Sequence, residues 1–172
     1  MITSSSPSSS LFEFKTTQEF ESWRIVNDGV MGGLSDSQIE WNEEKGTLSF
    51  SGNVSLENYG GFASTRTISQ NFKTKIFTTI KLRVKGDGQK YKFRMRNSNR
   101  FDGMAYSKTF ETIKEEWTEI NLPVKDFDAT FRGRVYSDYP KFNPEDLRQI
   151  GFLIADKQEG EFHLEVDWIR VE

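Results

Sequence analysis

Ile80-Lys81-Leu82-Arg83-Val84-Lys85-Gly86-Asp87-Gly88-Gln89-Lys90-Tyr91-Lys92-Phe93-Arg94-Met95-Arg96 sets two runs of strict alternation on either side of a glycine-rich turn. Ile80, Leu82 and Val84 are the apolar members of the first run, and Tyr91, Phe93 and Met95 those of the second. Successive side chains of a β-strand point to opposite faces, so a period of two turns one face toward a core and leaves a basic face toward solvent. The Gly86-Asp87-Gly88 turn predicts a hairpin, which would align Arg83 and Lys85 with Lys92, Arg94 and Arg96. Like charges opposed across strands repel, so a basic face of this kind implies nearby acids or an anionic partner surface.

The same period recurs outward in both directions. Toward the N-terminus, Leu48, Phe50, Val54 and Leu56 share one parity while Thr47, Ser49, Ser51, Asn53 and Ser55 hold the other. Toward the C-terminus, strands are expected at 105–112, 118–123, 150–155 and 162–171. The last of these places Phe162, Leu164, Val166 and Trp168 on the apolar side. Asn143-Pro144-Glu145-Asp146-Leu147 can form one helical turn, with Asn143 as cap and Pro144 at the first helical position. No long amphipathic pattern of helical period is present. Many short strands at this spacing predict an all-β sandwich or barrel.

A chain of 172 residues falls in the range of one domain and can bury roughly two-thirds of the surface its unfolded state exposes. We expect a flexible serine-rich tail over residues 1–10 and a single β-sandwich domain over 11–172. Fifteen Phe, five Tyr and four Trp predict a core built on aromatic rings. A formal net charge of -3 offers no general attraction to phosphate backbones, so nucleic acid is not expected as a partner. The absence of cysteine removes disulfides, thiolate metal sites and thiol nucleophiles together. No apolar run is long enough for a membrane-spanning helix.

Two turn-rich segments remain, Trp23 to Ser37 and Asn58 to Arg66. Each carries glycines among short polar residues, which permits unusual backbone shapes and close approach. The first could cradle an anion with backbone N–H groups, but it matches neither phosphate-loop nor dinucleotide spacing and no long helix follows it. The plainer expectation is a pair of loops that meet at one end of the sandwich, with Arg66 bridged to Asp28.

At the level of motifs, Trp23-x-x-Val26-Asn27-Asp28-Gly29-Val30-Met31-Gly32-Gly33-x-Ser35 resembles the complex I intermediate-associated protein 30 family. Phe50-x-Gly52 and Asn58-x-Gly60-Gly61-Phe62-Ala63-Ser64-x-Arg66 carry the resemblance on. Leu82-x-Val84-x-Gly86-Asp87-Gly88, Tyr91-x-Phe93-x-Met95-Arg96, Ile150-Gly151-Phe152 and Trp168-Ile169 extend it over nearly the whole chain. The resemblance implies a jelly-roll β-sandwich similar to galactose-binding domains. It also implies a non-enzymatic assembly or chaperone role for a respiratory or photosynthetic membrane complex, with protein subunits or intermediates as partners. The serine-rich start lacks the arginines of a mitochondrial transit peptide, so a cytoplasmic setting, peripheral to a membrane, is expected instead.

No catalytic residue is assigned. His163 is the only histidine, and no Gly-x-Ser-x-Gly elbow accompanies it. Acids are too abundant for any carboxylate pair to stand out as glycosidase machinery. Asp28, Asp36 or loop carbonyls could ligate calcium, but EF-hand spacing is absent and neither a metal nor a cofactor is assigned. The residues expected to touch a partner are Asn27, Asp28 and Met31 in the first segment, Asn58 and Tyr59 in the second, and Arg94 and Arg96 on the strand face. The alternative is a carbohydrate-binding module in which Trp41, Tyr59 or Tyr106 stacks on a sugar.

Overall fold

The structure is a computed structural model that describes residues 8–27 and 33–172, apart from the side chain of Tyr59. Among the described residues, strands form two antiparallel sheets packed face to face as a jelly-roll sandwich. The first sheet has six strands and contains β1 (Ser9–Phe12), β3 (Asp36–Asn42), β4 (Thr47–Val54), β6 (Thr79–Lys85), β9 (Trp117–Pro123) and β13 (Gly160–Val171). Its order is β3-β4-β13-β6-β9, with β1 also paired to β13. The second sheet has seven: β2 (Trp23–Ile25), β5 (Ala63–Thr67), β7 (Lys90–Arg96), β8 (Ala105–Glu111), β10 (Asp128–Phe131), β11 (Arg134–Val135) and β12 (Gln149–Ile154). Its order is β11-β10-β8-β7-β12-β5-β2.

The alternation predicts burial well. Ile80, Leu82 and Val84 from one sheet meet Tyr91, Phe93, Met95, Ile150 and Phe152 from the other, all buried in one core. Aromatic rings pack within and between the layers: Phe50 and Phe162 lie 4.9 Å apart in the first sheet, Phe93 and Phe152 5.4 Å in the second, and Phe12 and Trp23 5.3 Å across the two, in edge-on contacts that suit ring quadrupoles. Asn143 caps a short 3-10 turn, Pro144–Asp146, by accepting from the Glu145 N–H at 3.1 Å.

Three expectations are corrected. Residues 86–88 do not close a hairpin. β6 and β7 belong to different sheets, and the glycine-rich turn is the crossover between them. Gly86 packs so tightly on Thr112 that an added Cβ would lie 2.3 Å from its Oγ1. Asp87 ties the crossover to both layers, accepting from the Tyr91 hydroxyl (3.0 Å) and from the His163 backbone N–H (2.8 Å). Trp168 does not continue the inward parity of Phe162, Leu164 and Val166, because a register shift between Val166 and Trp168 rotates the strand. Beyond it Ile169 and Val171 are buried, and Trp168 lies under the Arg170 guanidinium at 3.9 Å. Finally, Ser9 and Ser10, expected in the tail, pair with Val171 and Arg170 at the start of β1.

Secondary structure also forms where no strand is expected. Thr16 caps the short helix α1 (Thr17–Glu21) through a capping box with Glu19. β2 and β5 form from the two turn-rich segments themselves, pairing Trp23 with Thr67, Arg24 with Arg66 and Ile25 with Thr65.

Candidate functional site

The two turn-rich segments meet, as their composition suggested, and Asn27 holds them. Its Oδ1 accepts from Ser37 Oγ at 2.7 Å and from the Ser64 backbone N–H at 3.3 Å. Val26 N–H donates to the Ser64 carbonyl at 2.9 Å, and Ser64 Oγ donates to the Val26 carbonyl. Asn58 is exposed and sits at φ 55°, a left-handed conformation that asparagine tolerates, within the 3-10 turn Glu57–Tyr59. Asp28, Met31 and the Tyr59 side chain lie outside the described residues, and with them the expected Asp28–Arg66 bridge.

The basic face expected from the hairpin separates into two. Arg83 and Lys85 stay on the outside of the first sheet, where Arg83 bonds Asp167 at 3.0 Å, Lys85 pairs with Glu165 at 3.4 Å, and both flank the Trp117 ring. Arg94 and Arg96 lie on the outside of the second sheet, and their companion is Arg66.

That companionship follows from register. Gly151 in β12 pairs with Arg66 of β5 on one side and Arg94 of β7 on the other. Having no side chain, it opens a gap in the row into which Arg66 folds: a Cβ at 151 would lie 2.7 Å from Arg66 Cβ and 2.4 Å from the Thr65 carbonyl oxygen. Arg96 pairs with Gln149, whose Nε2 donates to the carbonyls of Ser98 (2.9 Å) and Arg100 (3.0 Å). Those bonds anchor the 98–101 turn, and the Phe101 ring lies over the Arg66 guanidinium at 4.3 Å.

Arg66 and Arg96 are only 8% and 6% exposed, and Arg94 is half-buried. Burial first, then repulsion from Arg94 and Arg66, pulls Arg96 down to about 9, while burial and Arg66 pull Arg94 down to about 10. Burial lowers Arg66 as well, against the pull of Asp102. A guanidinium in this state is still charged at neutral pH. Asp102 is occupied elsewhere, accepting from Arg132 Nη2 at 2.7 Å. The arrangement is a recessed cationic floor with an exposed aromatic edge, suited to holding anionic oxygens.

Of the residues in this cluster, the sequence singles out Arg94 and Arg96 as contact candidates, gives Arg66 a different role and gives none to Gln149, Phe101 or Gly151. The available signal was Gly151 itself, a lone side-chain-free position on the outward parity of β12, between Gln149 and Leu153. Two of the three proposed sugar stackers, Trp41 and Tyr106, are engaged in the fold, and the Tyr59 side chain lies outside the described residues. Trp41 donates from its indole N to the Phe14 carbonyl at 2.7 Å, and Tyr106, 6% exposed, donates its hydroxyl to the Pro140 carbonyl at 2.6 Å. Another concavity of about 840 Å³ lies among Phe77, Tyr106, Val135, Tyr139 and Phe142. Among the described residues no group of three or more metal-ligating side chains converges, and no helix is long and apolar enough to cross a membrane.

Comparison with known proteins places this geometry in context. The model of the complex I intermediate-associated protein 30 family matches residues 12–166. The probable complex I intermediate-associated protein 30, mitochondrial, of Caenorhabditis elegans is 28% identical over 93% of this chain and 53% of its own length. The mouse mitochondrial protein of that name is 25% identical over 94% of this chain and 55% of its own. The chain thus spans about half the length of these curated relatives. Among solved structures, the family 11 carbohydrate-binding module of a Clostridium thermocellum cellulosomal cellulase superposes with a TM-score of 0.72 at 15% identity, covering 98% of this chain and 95% of the module. A family 29 carbohydrate-binding module reaches 0.55 at 13% identity over 97% and 92%. At such identity the likeness is one of fold.

Proposed function

The chain belongs to the complex I intermediate-associated protein 30 family, and from that membership we propose that it is a binding domain, not a catalyst, that assists assembly of a respiratory or photosynthetic membrane complex. It holds a protein subunit or intermediate on the outer face of the seven-stranded sheet. The observation that carries the reading is the cluster of Arg66, Arg94 and Arg96 beside exposed Phe101: charged groups kept at a cost to the fold, on an open sheet face, in a family whose named members are associated with complex I intermediates. Of the residues first expected to make contact, Arg94 and Arg96 belong to this surface. Asn27 acts through the loops it clamps.

Affinity capture from the source cells, followed by mass spectrometry, tests the reading. Subunits of a respiratory or photosynthetic complex are expected with the native chain and are expected to be depleted by Arg94→Glu plus Arg96→Glu. Recovery of no such subunit would overturn it. Tyr136 and Tyr139, 41% and 45% exposed, support a rival sugar-binding reading. Specific binding on a glycan array, lost on Tyr139→Ala, would put that reading first.

A further inference from the structure

The arginines of this chain show an inversion between burial and pairing. Arg83, Arg132 and Arg170 each hold a carboxylate, with side chains 34%, 65% and 32% exposed. Arg66 and Arg96 are far more buried, and among the described residues no carboxylate pairs with them or with Arg94. Among the described residues, none makes a hydrogen bond to the buried Arg96 Nε. Electrostatics dictates the reverse, because a charge removed from water needs its counter-charge most. Nearby acids supply it only in part: Asp102 attracts Arg66 and Arg96 from a distance but bonds Arg132, and Asp128 stands exposed beyond Ser107 at the far side of β8.

We propose that Arg66, Arg94 and Arg96 receive the carboxylates of an extended acidic segment on the protein partner. The proposal rests on the binding-domain reading above and specifies the chemistry of what is bound. The planar guanidinium fork matches a carboxylate with two parallel bonds. Arginine with an exposed aromatic is the composition of a protein-interface centre, and Phe101, 63% exposed, supplies the aromatic against Arg66. Arg94 and Arg96 are two residues apart on one strand, about 7 Å, which is also the spacing of alternate side chains on an extended peptide. Arg66 lies two strands over, level with Arg94 and about 10 Å from it at right angles to the Arg94–Arg96 line, and receives a further acid where the segment turns across the sheet.

The test uses the full chain and a dye-labelled synthetic peptide alternating glutamate with alanine, with its glutamine counterpart as control. Saturable binding of the glutamate peptide is expected, weakened about tenfold or more in Arg94→Gln plus Arg96→Gln and absent with the glutamine peptide. Arg96→Met, with no peptide present, is expected to melt at or above the temperature of the native chain, since it removes a buried unpaired charge. Three results would overturn the proposal: no preference for the glutamate peptide, a large fall in melting temperature for both Arg96→Met and Asp28→Asn, which would mark an internal ion pair, or stabilisation by inorganic phosphate with no peptide binding, which would mark a small-anion site. Capture of the same complex subunits by native and Arg94→Gln plus Arg96→Gln chains would sink the acidic-segment proposal and leave the binding-domain reading standing.

Discussion

Arg66 lies across Gly151 so closely that no side chain fits between them: a Cβ on residue 151 would approach Arg66 Cβ to 2.7 Å and the Thr65 carbonyl to 2.4 Å. The first atom is bonded directly to the backbone and the second belongs to it, so neither can swing away. The cationic floor therefore depends on a glycine at the outward position of β12 between Gln149 and Leu153.

Gly151→Ala is accordingly expected to force β5 and β12 apart and destabilise the fold by about 1–3 kcal/mol, the usual range for overpacking. Urea denaturation measures it. A loss smaller than this would show that the two strands can separate at little cost.

Asn27 Oδ1 is the shared acceptor for Ser37 Oγ and the Ser64 N–H. Asn27→Ala leaves both donors unmatched in half-buried surroundings and is expected to cost about 1–3 kcal/mol. Asn27→Asp retains the acceptor and is expected to cost less. Comparing the two by chemical denaturation separates the hydrogen bonds from general packing.

Burial, followed by the charge and hydrogen bond of Asp87, holds the Tyr91 hydroxyl protonated well above its ordinary value of 10.0. In the unfolded chain the same group ionises near 10, so the folded state retains a proton that the unfolded state has lost. Below that pH, Tyr91→Phe is less stable than the native chain by the lost bond to Asp87. Above it the native chain loses about 1.4 kcal/mol per pH unit that the variant keeps, so the gap narrows and then reverses. Paired urea titrations between neutral and alkaline pH follow the crossing.

Phe101 stacks on Arg66 yet is 63% exposed. Phe101→Ala is expected to change stability by less than about 1 kcal/mol, as for other exposed cation–aromatic contacts, while clearly reducing recovery of the partner. Melting curves and affinity capture on the same preparation distinguish the two effects.

Much of the sandwich was legible in the chain because alternation reports local geometry. Which side chains of Ile80 to Val84, Tyr91 to Met95 and Phe162 to Val166 face the core follows from a two-residue period and burial of apolar surface. The period is silent about neighbours. Gly86-Asp87-Gly88 reads as a hairpin turn from its own residues, and it becomes a crossover through contacts with Thr112 and His163, which lie far along the chain. Trp168 was misplaced for a related reason. A bulge is a mismatch between two paired strands, so the alternating pattern of one strand does not disclose it.

The chain's own residues determined an all-β fold, an aromatic core, the burial phase of most long strands and, through its motifs, membership of a family. Those properties rest on side-chain chemistry at short separations, where the covalent backbone sets the geometry. Tertiary structure alone decided which sheet each strand joined, and so separated Arg83 and Lys85 from Arg94 and Arg96. It also brought Arg66 to the latter pair across Gly151, because strand register is set by hydrogen bonds between segments distant in sequence.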